Sequence, residues 1–384
     1  MQRQAYRPPL HGVFFFYCLL FRLLSMKHKL PASALLVSVL GCLSGFADAA
    51  PLDDLLTANT PGRGVVKLEA AYDAVNSTLD VLKIRANDPV YAGTNVGDYK
   101  GEHVLAGYAL TDRLWIDGGL WDRHISYNSS VESLRSWQTG LQYRFAGSPD
   151  SKASYGLRAS IWGDSAGNLS KATPTTLLGQ QVSNVVVSDP KDTQYQADLL
   201  GSWHLTQSAE ISAFAGGGVS TVKVGDLSAG YGGCNYNIML NADSITGTQI
   251  GQCGDVVSAS FEKPTSYDVS HTLSYKASFA HLGVNWHWQY GRFGLRDGLM
   301  EEYVNRRDVD SLITTHESGT AYKRNLVIDS EAFFTVVRQT DVFVRAEAMS
   351  NQFVGEIPFA YNAVTYSKFS GKYGFVSFGV RSVF

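Results

Sequence analysis

Past residue 49 the chain holds no apolar run long enough to cross a bilayer as a helix, which excludes a helical membrane protein. It also lacks a basic excess. Without the first 49 residues, 27 Lys/Arg stand against 34 Asp/Glu, a net charge of −7 that argues against a nucleic-acid partner. Several catalytic signatures are missing as well: there is no Gly-x-Gly-x-x-Gly, phosphate-binding loop or His-Glu-x-x-His. Neither an enzyme nor a cofactor is expected. Cysteine is scarce. Of four, only Cys234 and Cys253 lie beyond residue 49, 19 positions apart in a Gly/Asn-rich segment. Two cysteines so placed in an exported chain read as one disulfide stapling a loop. A two-cysteine metal site is the rival reading, but no histidine lies close by, and no metal is expected.

What is present begins with an export signal. Lys27 and Lys29 precede an apolar stretch over 32–46, and Ala47-Asp48-Ala49 gives a small-x-small cleavage pattern. The signal region is therefore 1–49, with Met26 the better start and cleavage near Ala49. Residues 50–63 form a short periplasmic lead, and 64–384 the folded body. Cys42 follows Val39-Leu40-Gly41, a weak likeness to a lipoprotein box in which Leu40 fits badly.

That body alternates with a period of two. Val66, Leu68, Ala70 and Tyr72 oppose Lys67, Glu69, Ala71 and Asp73; Tyr155, Leu157, Ala159 and Ile161 oppose Gly156, Arg158, Ser160 and Asp164. In 281–290, Leu282, Val284, Trp286, Trp288 and Tyr290 oppose His281, Gly283, Asn285, His287 and Gln289. A helix would scatter such sets around its circumference, whereas a strand puts each on one face. About twelve such segments are expected, with ten or fourteen as alternatives. Those at 99–110, 114–127, 210–223, 292–304 and 325–338 pattern weakly. In 114–127, Asp117 and Arg123 share a side with Trp115 and Trp121.

The last segment, Lys372 to Phe384, places Gly374, Val376, Phe378, Val380, Ser382 and Phe384 on one face against Phe375, Ser377, Gly379, Arg381 and Val383. An amphipathic strand with a terminal aromatic resembles the closing strand of Gram-negative outer-membrane β-barrels. Val376, Phe378, Val380 and Phe384 then stand where that class carries the signal read by the barrel-assembly machinery. Ser382 departs from the pattern, since an aromatic is usual there. The resemblance implies an all-β transmembrane antiparallel up-and-down barrel in the cell outer membrane, in contact with its lipid and lipopolysaccharide. Sugar-acid channels and autotransporter translocators of twelve strands are similar in architecture, but no motif ties the chain to either.

Connections support the same reading. Short links at 111–113, 147–153, 206–209, 290–292 and 339–341 alternate with longer ones at about 75–98, 128–132, 165–191, 224–269, 305–324 and 356–367. Outer-membrane barrels alternate short periplasmic turns with long external loops. Leu79–Ile84 and Val185–Val187 are β-prone pieces expected in loop extensions. Tyr143, Phe145, Trp203, Trp286, Trp288, Tyr290, Phe293 and Phe384 gather near the short turns, as in an interfacial aromatic girdle.

The inward face in this register carries Lys67, Glu69, Arg144, Arg158, Asp198, Arg296, Glu302, Asp329, Glu331, Arg345, Glu347 and Arg381. Charges inside a barrel must be hydrated or paired. Twelve strands fall between a wall filled by its own side chains and an open channel. The expected function is a porin-like channel for small hydrophilic solutes. The alternative is a structural or interaction barrel: an adhesin, assembly scaffold or surface anchor. A lipid-modifying enzyme fits less well, because Ser270-His271-Thr-Leu-Ser274, with Asn285 and His287, does not match the His-x-Ser-Asn spacing that outer-membrane phospholipases show. Solute identity and oligomeric state are not encoded in any motif.

Overall fold

The computed structural model describes residues 56–75, 98–127, 130–148, 150–171, 175–177, 180–223, 225–240, 244–255, 257–262, 274–307, 310, 323–350 and 373–384. The signal region, Leu79–Ile84, the 356–367 connection and the Ser270/His271 segment lie outside these. Among the described residues, nineteen strands follow in chain order. The first five are β1 (Val66–Val75), β2 (Asp98–Ala109), β3 (Leu114–Tyr127), β4 (Ser130–Ala146) and β5 (Ala153–Ala166). Next come β6 (Asn168–Lys171), β7 (Thr175–Leu177), β8 (Gln180–Ser188), β9 (Lys191–Thr206) and β10 (Ala209–Lys223). Then come β11 (Leu227–Tyr231), β12 (Cys234–Leu240), β13 (Ser244–Gln249) and β14 (Ser258–Glu262). The last are β15 (Tyr275–Tyr290), β16 (Phe293–Arg306), β17 (Arg324–Val337), β18 (Thr340–Met349) and β19 (Tyr373–Val383).

Twelve of these close a barrel in the order β1-β19-β18-β17-β16-β15-β10-β9-β5-β4-β3-β2, every pair antiparallel. Each coincides with one of the twelve segments that alternation predicts, weak ones included. The seam joins the first and last strands, from Lys67↔Val383 to Ala74↔Val376. Beyond the ladder, Phe384 N–H donates to the Val66 carbonyl at 2.8 Å, and Val66 N–H to the Phe384 carbonyl at 3.0 Å. Closure leaves no open edge, the condition for a sheet in hydrocarbon.

One face of the wall is apolar and exposed. Leu120, Leu157, Leu199, Leu282, Ile328, Val344, Phe378 and Val380 point outward, Leu120 at 62% exposure. Tyr143, Phe145, Tyr290, Phe293 and Phe384 are exposed beside the short turns. An apolar outer belt on a closed barrel is a surface made for lipid. Val376 shares the outward parity but is buried.

Short turns set the register. Gly291 joins β15 to β16 at φ 60, and Gly147 follows β4 at φ 80, both in the left-handed region that glycine enters cheaply. The long connections are less loop-like than their composition suggests. Those of 165–191 and 224–269 combine into one further sheet, ordered β14-β13-β12-β11-β8-β6 with β7 on β8. Val185–Val187 belong to β8, which pairs with β6 and β11. Cys234 and Cys253 are disulfide-bonded within this sheet.

Candidate functional site

Among the described residues, buried charged and polar side chains concentrate on the inward face, so the lumen is the candidate site. Alternation determines which side chains enter it, and pairing determines which of them meet. Glu69, Arg144, Arg158, Asp198, Glu302, Asp329, Glu331, Arg345, Glu347 and Arg381 are all buried there. Lys67 and Arg296 are half-buried with the same parity.

Five of them assemble into one ionic cluster on β1 and β16–β19. Glu331 accepts from Arg381 at 2.6 Å, from Arg345 at 2.8 Å and from Arg296 at 3.3 Å. Glu69, on the other side, accepts from Arg345 at 3.0 Å and Arg381 at 3.2 Å. Asp341 lies 3.9 Å from Arg381, and Asp329 4.0 Å from Arg345. The guanidiniums lie over rings: Arg345 is 5.0 Å from the Phe343 centroid and Arg296 4.8 Å from that of Phe333. Those rings lie against the wall because glycine faces them. A Cβ on Gly294 would come within 2.1 Å of Phe333, and one on Gly379 within 2.4 Å of Phe343. The cluster continues through His103, whose Nδ1 is 2.9 Å from Asp73 and whose Nε2 is 3.6 Å from Glu69.

On the opposite part of the wall, Arg158 grips Asp117 with two bonds of 2.6 Å, reaching from β5 to β3 across β4. The residue beneath the bridge is Gly140, where a Cβ would meet Arg158 Nη2 at 2.3 Å and Asp117 Oδ1 at 2.8 Å. Asp198 holds His281 Nε2 at 2.5 Å. Glu302 is the cross-strand partner of His281, and Glu347 that of Asp329.

Sequence reasoning did not anticipate several of these partners. Asp73, His103, Asp117 and Arg123 belong to the network, yet Asp117 and Arg123 sit in the segment whose pattern Trp115 and Trp121 obscure. The structure shows why: both tryptophans also point inward and are buried. A Cβ on Gly107 would come within 2.0 Å of Trp115, and one on Gly119 within 2.5 Å of Trp121. Inward glycine next to an inward ring is the signal that could have found them.

The lumen also holds chain that does not belong to the wall. Of residues 56–63, part of the lead expected over 50–63, Leu56 to Thr60 run along the inner face, and Arg63 is exposed with its N–H donating to Asp112 Oδ1 at 2.9 Å in a short turn. Leu56 and Ala58 pack on Leu200, Phe214, Met300, Val327 and Met349. Asn285 donates to the Leu56 carbonyl at 2.6 Å, Gln142 to the Thr57 carbonyl at 2.7 Å, and Arg144 to the Thr60 carbonyl at 3.1 Å. Thr57 and Asn59 each donate to Glu210 at 2.7 Å, Ala58 N–H donates to Ser202 at 2.7 Å, and Ser154 donates to Asn59. Side chains of β4, β5, β9, β10 and β15 thus hold one extended segment across the lumen.

No protein-family model matches the chain, and no curated protein matches it. Among solved structures it is similar to the translocator domain of autotransporter NalP from Neisseria meningitidis, at 11% identity over 85% of this chain and 90% of that one, TM-score 0.41. It is similar also to the CymD monoaromatic hydrocarbon channel, at 9% identity over 84% and 89%, TM-score 0.38. An outer-membrane channel from Pseudomonas putida F1 covers 88% of this chain and all of its own at 8% identity, TM-score 0.39. On its own geometry, a closed antiparallel twelve-strand wall with an apolar exterior and an ionic interior, the chain has the architecture of an outer-membrane β-barrel.

Proposed function

We propose that the chain is an outer-membrane channel for small hydrophilic solutes, closed in this state by its own residues 56–63. The observation that carries the reading is the way this segment is held. It occupies the lumen through hydrogen bonds to side chains and one apolar contact, not through ladder pairing with any wall strand. It can therefore leave without breaking the barrel. A barrel serving only as a scaffold has no need of a removable filling. The polar wall exposed by its departure, with Gln142, Arg144, Ser202, Glu210 and Asn285, would carry hydrated solutes past rows of opposed charge.

The scaffold reading draws on one observation of its own, the disulfide-stapled sheet of β6–β8 and β11–β14, which offers a structured surface beyond the barrel. Planar-bilayer recording separates the two. The barrel, its folding verified by heat-modifiable migration, should give discrete conductance steps that become more frequent or larger when residues 56–63 are deleted. Neutralising Arg144 or Arg345 should shift ion selectivity. Silence from both the whole and the deleted protein, each verified as folded, refutes the channel.

A further inference from the structure

At the rim of the lumen where β5 ends and β9 begins, Asp164 and Asp192 are direct cross-strand partners on the inward face. Both are 2% exposed. Opposed residues of an antiparallel pair have Cβ atoms about 4.5–5.5 Å apart, and like charges so placed repel. Burial adds the cost of taking both carboxylates out of water. Serine and glutamine offset part of that cost. Ser136 donates to Asp164 Oδ1 at 2.5 Å, Ser220 to Asp192 Oδ1 at 2.7 Å, and Gln194 to Asp192 Oδ2 at 2.9 Å. No hydrogen bond from the described residues reaches the remaining oxygen, Asp164 Oδ2, although it is buried. Among the described residues, the buried cation whose charge acts on Asp164 is Arg123. Its charge reaches Asp164 but is shared with Asp73, 3.6 Å from its guanidinium.

From this geometry we infer a hard divalent cation site, of the calcium class, between Asp164 and Asp192. Metal–oxygen distances of about 2.3–2.6 Å let one ion bridge two carboxylates at that spacing, and oxygen-only ligation is what such ions require. Asp164 Oδ2 and the Asp192 carboxylate are the direct ligands. Ser136 and Ser220 orient them, and a turned Gln194 amide can add its oxygen. The setting favours a cation further. Asp198, Glu302, Asp329 and Glu347 all lie in the halves of their strands nearer the long connections, where the buried arginines are Arg123 and Arg306, so this end of the lumen carries an acidic excess. An ion here would tie β4, β5, β9 and β10 together at the base of the second sheet.

Terbium luminescence tests it on the folded, detergent-solubilised barrel. Trp162 is 1% exposed and lies two residues before Asp164 on the same face. At about 3.3 Å per residue this is close enough to sensitise a bound lanthanide. Excitation of tryptophan should give saturable terbium emission that calcium displaces, with calcium affinity near the millimolar range of extracellular sites. Asp164→Asn/Asp192→Asn should abolish it, and Ser220→Ala should weaken it about tenfold, in variants still heat-modifiable. Calcium should also raise the unfolding temperature of the parent over that in EDTA, and not that of the double variant. Emission unchanged in the double variant would assign the ion to lipid or to another surface. Absence of saturable emission from the folded parent, together with a stabilised Asp164→Asn, would show that a shared proton holds the pair. Either result overturns the site.

Discussion

Glu331 is the carboxylate on which the ionic cluster turns, and Glu331→Gln is the most informative single change in the wall. Its side chain is fully buried and accepts five hydrogen bonds from three arginines, between 2.6 and 3.3 Å. A hydrogen bond to a charged group contributes roughly 1.5–3 kcal/mol, but those values do not add here. Arg345 and Arg381 keep Glu69, with Asp329 and Asp341 nearby. The applicable magnitude is that of removing one partner from a buried pair, about 3–5 kcal/mol, because the guanidiniums stay buried with less than their counter-charge. That is about two to three and a half orders of magnitude in the folding equilibrium. The glutamine keeps size and shape, so no cavity confuses the result.

Equilibrium unfolding in urea from phospholipid vesicles reads the effect, with Arg296→Met as the comparison. The Arg296 side chain is 25% exposed and makes one bond to Glu331, at 3.3 Å. Water screens it, and its loss leaves Glu331 with two arginines, so the change should cost no more than about 1 kcal/mol. A loss below about 1 kcal/mol for Glu331→Gln would refute the reasoning, since a group that screening reduces to this level is not desolvated. Equal losses for the two variants would do the same.

Gly140→Ala should destabilise the barrel by about 1–3 kcal/mol by driving its Cβ into the Arg158–Asp117 bridge; an Arg158→Met/Asp117→Leu background should remove most of that penalty, and a full penalty there would place the clash elsewhere. Cys234→Ser/Cys253→Ser opens a loop of 19 positions, which costs the second sheet about 3 kcal/mol in the chain-entropy account. Protease should then cut within 224–269 faster while the barrel's heat-modifiable migration stays unchanged, and slower migration of the unboiled band would show that the barrel needs the staple. Phe384→Ala should lower the yield of folded barrel in the membrane while export continues, read as folded and unfolded bands in unboiled gels; an unchanged yield removes Phe384 from assembly.

Strand positions were legible because lipid on one side and a polar lumen on the other impose a period of two that survives in the residue types. It failed locally for one reason. The inner wall is polar only on average: Trp115, Trp121, Phe214, Phe333 and Phe343 also face inward and are buried. Aromatic residues on both faces erase the alternation, as in 114–127. Inward charges could be assigned strand by strand, since each depends only on its own parity. Their partners could not, because Glu69 meets Arg345 across 276 positions and Arg381 across 312. Such contacts depend on how twelve strands are staggered, and turn lengths alone do not supply that.

The segment 56–63 was harder still to read, since it carries no period at all. Its composition is that of a linker, small and polar, and the same composition suits a lumen. Thr57, Asn59 and Thr60 offer donors and acceptors at every other atom, and the wall answers with Gln142, Arg144, Ser154, Ser202 and Glu210. Most of those wall residues look surplus in their own strands, inward polar groups with no cross-strand partner of opposite charge; Glu210 is the exception, with His204 across the ladder at 3.5 Å. Their convergence near the short turns of β4, β5, β9 and β10 is explained once an extended chain lies among them. A strand-by-strand reading finds charged pairs and leaves over the polar groups that serve a third element. In a barrel wider than its own side chains can fill, those leftovers mark where the filling binds.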